Sequence, residues 1–354
     1  MMSRMQALSD FTTDTLSETF RNWGVKPSHA ARLLHAYYAS GGRPDLSSLR
    51  LGVALSARLE REIPLRQSNI LSRAHSADGT LKLLVGFERG GAVEAVLMGT
   101  NYPERAAGCI SSQIGCAMGC DFCASTKRGL ERNLEAGEMV EQFLHLREQA
   151  LLSGRRLATL VFMGMGEPLQ NYDNLVAAIE RIAGEGLGAL GGKQISVSTV
   201  GIVPGIRRLA EANLKVTLAL SLHAPDDETR SKIVPMNRRY PVQEIIAAAK
   251  YFLETTGRIT NIEYCILDGV NDSDDHAHKL AELLRGFRTH LNIIPYNSIG
   301  TSLTGVVYRQ PSTERIQRFV SILREQRIAT HLRRTRGDDV NAACGQLREI
   351  AVGS

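Results

Sequence analysis

Apolar and polar residues follow a period that changes along the chain. From residue 8 to residue 41 the apolar positions recur at helical spacing and predict two amphipathic helices. The first is expected to end near Gly24, and Ser28 is the expected N-cap of the second. A further helical stretch is predicted over about residues 47–63. The first part of the chain is therefore expected to be largely helical.

Strand patterns replace the helical period from Asn69 to Ser111. The Gly90-Gly91 pair is a turn signal between two of the predicted strands and indicates a β-hairpin. We therefore expect residues 1–95 to form a small accessory domain of helices and strands. The predicted strands of this stretch are Leu81–Phe87, Val93–Met98 and Gly108–Ser111.

From about residue 105 onward, predicted strands alternate with predicted helices. Repeated βα units indicate an α/β fold with a parallel sheet and helices outside it, here over residues 96–354. In barrel-like folds of this kind the chemistry lies at the C-terminal ends of the strands. The predicted strands are Leu157–Phe162, Ile195–Thr199, Val216–Leu222, Asn261–Ile266, His290–Pro295 and Thr330–Arg333, and the predicted helices are Tyr172–Ile182, Ile202–Ala212 and Val242–Glu254.

The composition is that of an ordinary soluble globular protein. The chain has 354 residues, of which 43% are hydrophobic and 22% are charged. No apolar run is long enough to span a membrane, and the first residues lack the apolar segment of an export signal. Six cysteines without an export signal indicate a reducing compartment. We therefore expect a cytoplasmic protein without a membrane partner.

The charge balance is modestly basic. The formal net charge is +5 and the pI is near 8.9, which permits nucleic-acid binding without establishing it. Most surface charges are simply solvated, which is the alternative interpretation of any one basic pair. Basic clusters that converge around one opening would form a rim that attracts phosphates. The clusters are Lys127-Arg128 with Arg132, Arg207-Arg208, Arg238-Arg239, and Arg333, Arg334 and Arg336.

Three cysteines, Cys116, Cys120 and Cys123, follow one another in the spacing C-x3-C-x2-C. Cysteine thiolates are the usual ligands of iron–sulfur clusters, and three of them on one loop hold a [4Fe-4S] cube while leaving one iron open. An open iron can bind a small molecule. The expected one is S-adenosylmethionine (SAM), because its amino and carboxylate groups can chelate the iron.

Other interpretations of this cysteine loop are weaker. A zinc site usually takes four ligands in paired spacings, but there is no second C-x2-C, and His145 and His223 are distant in sequence. A disulfide framework is unusual in so long a chain with so few cysteines. A ferredoxin would supply a fourth cysteine at a recognisable spacing. The loop therefore favours a three-cysteine cluster for radical SAM chemistry.

A glycine-rich motif, Gly164-Met165-Gly166-Glu167-Pro168, follows the predicted strand Leu157–Phe162. It is not a dinucleotide fingerprint, because Leu169 stands where the third glycine would fall. Glycines allow a ligand to approach the backbone closely, and Glu167 can accept a hydrogen bond from the ammonium group of SAM. The alternative is a strand-to-helix turn with a capping glutamate.

Short polar side chains recur at the ends of the later predicted strands. Each alone is more often a helix cap or a turn residue, and a lone histidine is usually structural. Their recurrence at equivalent strand ends favours a shared ligand. These positions are Ser198 in Ser196-Val197-Ser198-Thr199, the run Ser221-Leu222-His223, and Asn297.

The remaining cysteines are Cys109, Cys265 and Cys344. Cys265 lies within an apolar strand and is expected to be a buried structural thiol. Small residues flank Cys344, so its thiol could reach a crowded centre. Composition alone gives Cys109 and Cys344 the same structural interpretation as Cys265.

Together these segments resemble the RlmN/Cfr family of radical SAM RNA methyltransferases over about residues 10–350. The resemblance implies a partial (βα)6 barrel with a small, RNA-binding-like N-terminal domain. It also implies that Cys116, Cys120 and Cys123 hold the [4Fe-4S] cluster. The residues that match the family's SAM contacts are Gly166, Glu167, Ser198, Ser221, Leu222, His223 and Asn297. The segments that carry the resemblance are Cys109–Cys116, Cys116–Cys123, Gly164–Pro168, Ser221–Pro225 and Ala342–Gln346.

The resemblance further implies roles for three residues. Cys344 matches the cysteine that takes a methyl group from one SAM, which needs a thiolate. A radical derived from a second SAM removes hydrogen from that methyl group, and the resulting carbon radical adds to an unstacked adenine. Glu94 matches the proposed acceptor of the ring proton. Cys109 matches the thiol that releases the product by forming a disulfide with Cys344.

The expected reaction is methylation at C2 of an adenosine in 23S rRNA, with tRNA as a further substrate candidate. A monomer that receives electrons from a reductant protein such as flavodoxin is expected. Thr335–Asp339 looks like the C2 branch, whereas Thr199–Gly205 reads partly like the C8-methylating resistance branch. The segment Ala124–Gly129 and the single residue Tyr296 also depart from the commonest sequence pattern of the family. The alternatives are C8 methylation, a noncatalytic RNA-binding protein with a structural metal, and a radical SAM enzyme that acts on protein or small molecules.

Overall fold

A computed structural model describes residues 6–347 of the chain. None of the described helices is long and apolar enough to cross a membrane. The helices are α1 (Thr13–Asn22), α2 (Ser28–Ala39), α3 (Val53–Glu62), α4 (Ala136–Leu152), α5 (Tyr172–Ala183), α6 (Val203–Glu211), α7 (Asp227–Ile233), α8 (Val242–Thr256), α9 (Asp274–Leu284) and α10 (Thr313–Glu325). The strands are β1 (Ser68–His75), β2 (Leu81–Phe87), β3 (Ala92–Gly99), β4 (Arg105–Cys109), β5 (Gln113–Gly115), β6 (Leu130–Asn133), β7 (Arg156–Phe162), β8 (Ile195–Thr199), β9 (Thr217–Ser221), β10 (Thr260–Ile266), β11 (Thr289–Pro295) and β12 (Thr330–Leu332).

One ten-stranded sheet organises the fold, in the order β1-β2-β3-β4-β7-β8-β9-β10-β11-β12. The strands β1 to β4 pair antiparallel. From β4 onward every pair within this sheet is parallel. The strands β5 and β6 pair antiparallel in a separate two-stranded sheet. Parallel neighbours need a crossover connection, and helices supply it between all of the parallel strands. The predicted α/β fold with a parallel core sheet and an N-terminal antiparallel and helical region is confirmed.

The helix α4 connects the N-terminal region to the sheet. It is buried on most sides, and its buried residues include the polar side chains Glu141 and His145. The Glu141 carboxylate accepts hydrogen bonds from the Ser9 hydroxyl at 2.8 Å and from the Gln67 N–H at 2.9 Å. Because polar and apolar residues are buried together, α4 lacks a clear amphipathic period, and it is absent from the predicted helices.

Several predicted bounds need correction. Ser28 is the first residue of α2 and not its cap, which is Pro27. The helix predicted over about 47–63 begins only at Val53. The helices α7, α9 and α10 are also absent from the prediction. The expected domain boundary between residues 95 and 96 lies inside β3, and the sheet continues across it. The division into two domains stays a prediction.

Candidate functional site

A cavity lies at the C-terminal ends of the parallel strands. Residues from the ends of β7, β8, β9, β10 and β11 form its walls, which is where folds built from βα units place their chemistry. The cysteine loop closes one side. The predicted site residues that line this first cavity are Cys116, Cys120, Cys123, Gly166, Glu167, Ser198, Ser221, His223 and Cys344.

Hydrogen bonds from distant segments hold the cysteine loop. The Cys116 N–H donates to the Gly129 carbonyl oxygen at 2.9 Å, and the Asp121 N–H donates to the Ile233 carbonyl oxygen at 2.9 Å. The buried Asp121 carboxylate also accepts from the Tyr308 hydroxyl at 2.8 Å. The position of the three thiols is therefore set by tertiary contacts as well as by their spacing.

Burial raises the pKa of all three loop thiols, to about 12 for Cys116. At Cys120 the neighbouring thiols Cys123 and Cys116 raise the pKa further. Buried thiolates this close together need a cationic partner, and iron is a metal that soft sulfur ligands select.

The three thiols fit a cube better than a single ion. Among residues 6–347, no three His, Cys, Asp or Glu side chains surround one ion position. Each iron of a [4Fe-4S] cube takes its own thiolate, so the cysteines that hold a cube need not converge on one point. The donor set, three thiols at the wall of a cavity, therefore fits a cluster with one open iron.

The Gly164–Pro168 segment packs against β5. Gly166 has φ +98°, and a Cβ there would lie 2.6 Å from the Cβ of Gln113, so only glycine fits. The Glu167 N–H donates to the Gln113 Oε1 at 2.8 Å. The Glu167 carboxylate accepts from the Leu169 N–H at 3.0 Å and from the Val200 N–H at 2.9 Å. These bonds connect the ends of β7 and β8 beside the cysteine loop.

The Glu167 carboxyl is buried, and burial raises its pKa to about 7 even though the hydrogen bonds from Val200 and Leu169 lower it. Its two backbone hydrogen bonds orient the carboxylate without neutralising it. An ammonium group in the cavity would favour the ionised form, because an opposite charge lowers the pKa of a carboxyl.

Ser198, Ser221 and His223 form the adjacent wall. The hydroxyl oxygens of Ser198 and Ser221 are 3.3 Å apart across β8 and β9. The His223 Nδ1 accepts from the Cys265 N–H at 3.0 Å. Burial, followed by the charge of Arg230, lowers the pKa of His223 to about 3. The ring is therefore neutral, and because Nδ1 is an acceptor, the proton is on Nε2.

Arg230 of α7 is fully buried under this wall, and sequence reasoning missed it. Its guanidinium donates to the carbonyl oxygens of Val200 at 2.6 Å, Leu222 at 2.8 Å and Ser221 at 3.1 Å, and to the Asn237 Oδ1 at 3.1 Å. Burial lowers its pKa to about 10. The charged run that contains Arg230 reads as an exposed helix face, so no sequence signal marks it.

The segment that carries Cys344 is held from two sides. The Asn297 Nδ2 donates to the Cys344 carbonyl oxygen at 3.1 Å, and the Thr335 hydroxyl donates to the Asn297 Oδ1 at 3.1 Å. On the other side, the Ala124 N–H donates to the Gly345 carbonyl oxygen at 2.7 Å. Asn297, expected to contact SAM, thus holds the Cys344 segment beside the cavity.

Cys344 is exposed, whereas Cys109 and Cys265 are buried. Desolvation by the surrounding atoms raises the pKa of Cys344, and Arg333 opposes this effect. Burial raises the pKa of Cys109 to about 12, and the charge of Cys344 adds to the shift, which places the two thiols within electrostatic reach. All six cysteines are free, so the disulfide implied between Cys109 and Cys344 is absent. Cys265 is buried as predicted, although it also lines the first cavity.

A second cavity adjoins the first. Its walls include Asn297 and the cluster Arg333, Arg334 and Arg336. Cys344 therefore stands at the junction of a cavity beside the cysteine loop and a cavity lined by positive charge. The described residues common to both walls are Met163, Glu263, Ile294 and Cys344.

Two of the other basic clusters have partners elsewhere. Arg132 is ion-paired with Glu138 at 2.7 Å. Arg208 is ion-paired with Asp173 at 2.9 Å and stacks over a tyrosine ring. Among the basic clusters, only Arg333, Arg334 and Arg336 belong to the described walls of the two cavities.

Glu263, a second residue that sequence reasoning missed, is buried between the two cavities. Its Oε1 accepts from the Asn292 Nδ2 at 2.8 Å. Burial raises the pKa of Glu263, although the Asn292 hydrogen bond and Arg333 lower it. A glutamate inside the apolar strand Thr260–Ile266 was the signal that could have found it.

Three predicted site residues, Glu94, Cys109 and Leu222, are not among the described residues that line either cavity. Leu222 is buried behind the wall, where its carbonyl oxygen accepts from Arg230. Glu94 is buried in β3 and is ion-paired with Lys82 at 2.8 Å. Cys109 ends β4, and its partner in β3 is Val96.

Comparison with known proteins agrees with this geometry. The sequence profile of the radical SAM superfamily matches residues 110–281. The probable dual-specificity RNA methyltransferase RlmN 1 of Opitutus terrae is 49% identical over 342 residues, which are 97% of this chain and 96% of that protein. The probable dual-specificity RNA methyltransferase RlmN of Rhodopirellula baltica is 40% identical over 98% of this chain and 91% of its own. The crystal structure of a radical SAM methyltransferase from Sphaerobacter thermophilus superimposes with a TM-score of 0.91 at 43% identity, covering 97% of this chain and 99% of that one.

Proposed function

Because this chain belongs to the RlmN family of radical SAM RNA methyltransferases, we propose that it methylates C2 of an adenosine in 23S rRNA and in tRNA. The observation that carries this proposal is the shared cavity of the three loop cysteines and Cys344. A methyl carrier must lie beside the centre that activates it, and no other described segment brings a further exposed thiol there.

We assign Cys116, Cys120 and Cys123 to a [4Fe-4S] cluster. When bound, this cluster supplies the electron that cleaves SAM and so yields the 5′-deoxyadenosyl radical. The chain's own part is to bind and orient SAM. The buried Glu167 carboxylate is suited to the SAM ammonium, and neutral His223 offers a fixed Nε2–H donor. The full set assigned to SAM is Gly166, Glu167, Ser198, Ser221, Leu222, His223 and Asn297.

Cys344 is assigned as the methyl carrier. Methyl transfer from SAM to sulfur needs a thiolate. Desolvation raises the pKa of the Cys344 thiol, and the positive charge of Arg333 partly opposes that effect. Cys109 is assigned as the thiol that later attacks the sulfur of Cys344. The S–S bond forms as the bond from the Cys344 sulfur to the adenine-linked carbon breaks, and the electron pair of that bond stays with the methylated product. The burial of Cys109 and its electrostatic proximity to Cys344 support this role, since a buried thiol reacts only with a group brought to it. Glu94 is assigned as acceptor of the ring proton.

RNA is expected to enter through the second cavity. The three arginines of its wall suit phosphate groups, and an unstacked adenosine can reach Cys344 from this side. Residues 1–95 are proposed as the accessory RNA-binding domain. We further propose that the protein is a monomer in the cytoplasm and that it takes electrons from a reductant protein such as flavodoxin.

The test is anaerobic reconstitution of the full chain with iron and sulfide, followed by reaction with SAM, a reductant, and 23S rRNA or tRNA. Mass spectrometry of the digested RNA should find 2-methyladenosine. Its isomer 8-methyladenosine, which differs in chromatographic retention, would replace the C2 assignment by C8 methylation. A chain that binds zinc and never cleaves SAM would instead be a metal-stabilised RNA-binding protein, and the proposal would fail.

A further inference from the structure

Lys82 forms a buried link between Glu94 and the segment that carries Cys344. Its ammonium is ion-paired with the Glu94 Oε1 at 2.8 Å and donates to the Asn341 carbonyl oxygen at 3.1 Å. The side chains of Lys82 and Glu94 are only 9% and 3% exposed. Asn341 lies three residues before Cys344. One side chain of the N-terminal hairpin thus contacts two parts of the proposed machinery.

The register of the sheet places this pair on the face that carries Cys109. Lys82 is opposite Val96, and Val96 is opposite Cys109. Directly opposed residues of antiparallel strands share a face, and so do alternate residues of one strand. Lys82, Glu94 and Cys109 are therefore on the same face of β2, β3 and β4.

The turn between β1 and β2 holds the same segment at two further points. The Gly337 N–H donates to the Asp78 Oδ2 at 3.0 Å, and the Ala77 N–H donates to the Asp339 Oδ2 at 3.1 Å. Although partial burial raises the pKa of Asp78, hydrogen bonds from Thr80 and others lower it to about 2, so this carboxylate stays ionised. The hairpin and the Cys344 segment consequently pack as one unit around Lys82.

Stability alone does not account for a buried ion pair here. Removing two charges from water costs several kcal/mol per ion, and apolar replacements of such pairs are often as stable or more so. Because the proposed proton acceptor is itself one member of this buried pair, the pair points to a role in the reaction.

We propose that Lys82 is a positioning residue that holds Glu94 ionised and oriented for the ring proton. This inference rests on the proposed function of Glu94. In the step concerned, the C–H bond of the adenine ring carbon breaks and leaves its electron pair on the ring, and the proton forms an O–H bond on the Glu94 carboxylate. Lys82 favours the carboxylate before that transfer, because an adjacent cation stabilises the ionised form.

Lys82→Met tests the inference in the reconstituted full-length enzyme, since methionine keeps the stem but has neither charge nor donor. Methylation of Cys344 by SAM, measured as the mass of its peptide, should be unchanged, because that step does not use Glu94. Formation of methyladenosine should fall about tenfold or more. This loss is smaller than the whole contribution of a general base, which is about 10²–10⁴-fold, because Glu94 itself is still present. The covalent RNA–protein adduct, visible on a denaturing gel, should accumulate, and the same accumulation is expected in Glu94→Gln.

Two further variants separate charge from packing. Lys82→Arg should recover most of the product, because it restores the cation beside Glu94. The matched control is Lys279→Met, which removes an exposed ion pair with Asp275 on α9 and should behave as wild type. Should Lys82→Met not fold, Lys82→Gln keeps hydrogen-bond donors without the charge and is measured in the same way.

The outcomes distinguish this inference from the proposed function. If Lys82→Met forms as much methyladenosine as the wild type, the proposed role of Lys82 is wrong, while the proposed function of the protein is unaffected. Parallel loss of Cys344 methylation and of product, without adduct, would also overturn that role, because it would show that Lys82 only supports the local fold. Absence of methyladenosine from the wild-type reaction would refute the proposed function and this inference with it.

Discussion

Replacing Arg230 with methionine should destabilise the ends of both β8 and β9. The guanidinium donates to the carbonyl oxygens of Val200, Ser221 and Leu222, and to Asn237. Methionine fills much of the same space and donates to none of them. Each buried acceptor left without a partner costs about 1–3 kcal/mol. The perturbation is therefore local, but it affects the wall that faces the cysteine loop.

The magnitude follows from two opposing terms. Burial lowers the pKa of Arg230 from 12.5 to about 10, so keeping this charge inside the protein costs about 3 kcal/mol, which methionine does not incur. Hydrogen bonds from a charged donor contribute about 1.5–3 kcal/mol each, and four of them are lost. The difference between these terms is about 3–9 kcal/mol. Its lower part matches the cost of about 3–5 kcal/mol for removing one partner of a buried charge contact, so we expect the free energy of unfolding to fall by about 3–5 kcal/mol.

Arg258→Met is the matched control. Arg258 donates to the Val216 carbonyl oxygen at 2.7 Å and to the Thr217 hydroxyl at 2.9 Å, at the opposite end of β9, and it is only partly buried. Circular dichroism should give a Tm about 5–10 °C lower for Arg230→Met of the metal-free chain, and a smaller shift for Arg258→Met. Iron content after anaerobic reconstitution should fall only in Arg230→Met. Equal Tm shifts in the two variants, or full iron content in Arg230→Met, would refute the reasoning.

Three further predictions concern single residues of the site. Cys344→Ala should abolish RNA methylation while the iron content and SAM cleavage persist; methylation retained in this variant would contradict its role as carrier. Burial raises the pKa of Glu167 from 4.5 to about 7, so the folded chain binds this proton more tightly than the unfolded chain and loses up to about 3 kcal/mol of stability as the pH rises from about 4.5 to 7. Urea unfolding at both ends of that pH range should show that Glu167→Gln lacks this pH-dependent loss of stability. If the free energy of unfolding of Glu167→Gln changed with pH as much as that of the wild type, Glu167 would not be the group responsible. Gly166→Ala should lose about 1–3 kcal/mol and weaken SAM binding in calorimetry, because its Cβ would meet Gln113, whereas Gly305→Ala, with a similar φ of +87° and open space around it, should leave SAM binding unchanged.

The alternation of strands and helices after about residue 105 followed from local pattern, although four of its helices were missed, and the cysteine loop followed from local pattern as well. Strands such as Ile195–Thr199 alternate or stay apolar over their whole length, which is why their bounds were predicted closely. Helices such as α4 escaped prediction because they are buried on most sides and carry polar residues whose partners are far away in sequence. The spacing of the three loop cysteines is a local property, so it could be read without a fold.

Charged residues inside the protein show the limit of that approach. Lys82 and Glu263 interrupt apolar strands, so the sequence could mark them as unusual but could not name their partners. Arg230 gave no signal at all, because its burial results from the packing of α7 against the ends of β8 and β9.

The sequence by itself determined the αβ order, the three-thiol loop, the glycine-rich turn and the family to which they belong. Only the tertiary structure decided that Cys344 stands between the cavity at that loop and the arginine-lined cavity, that Asn297 holds its backbone, and that Lys82 joins it to Glu94. The physical reason is the separation along the chain of the residues that interact. Spacing and period are set by neighbours along the chain, whereas burial, ion pairing and the pKa of a thiol depend on groups that meet only when distant segments pack together.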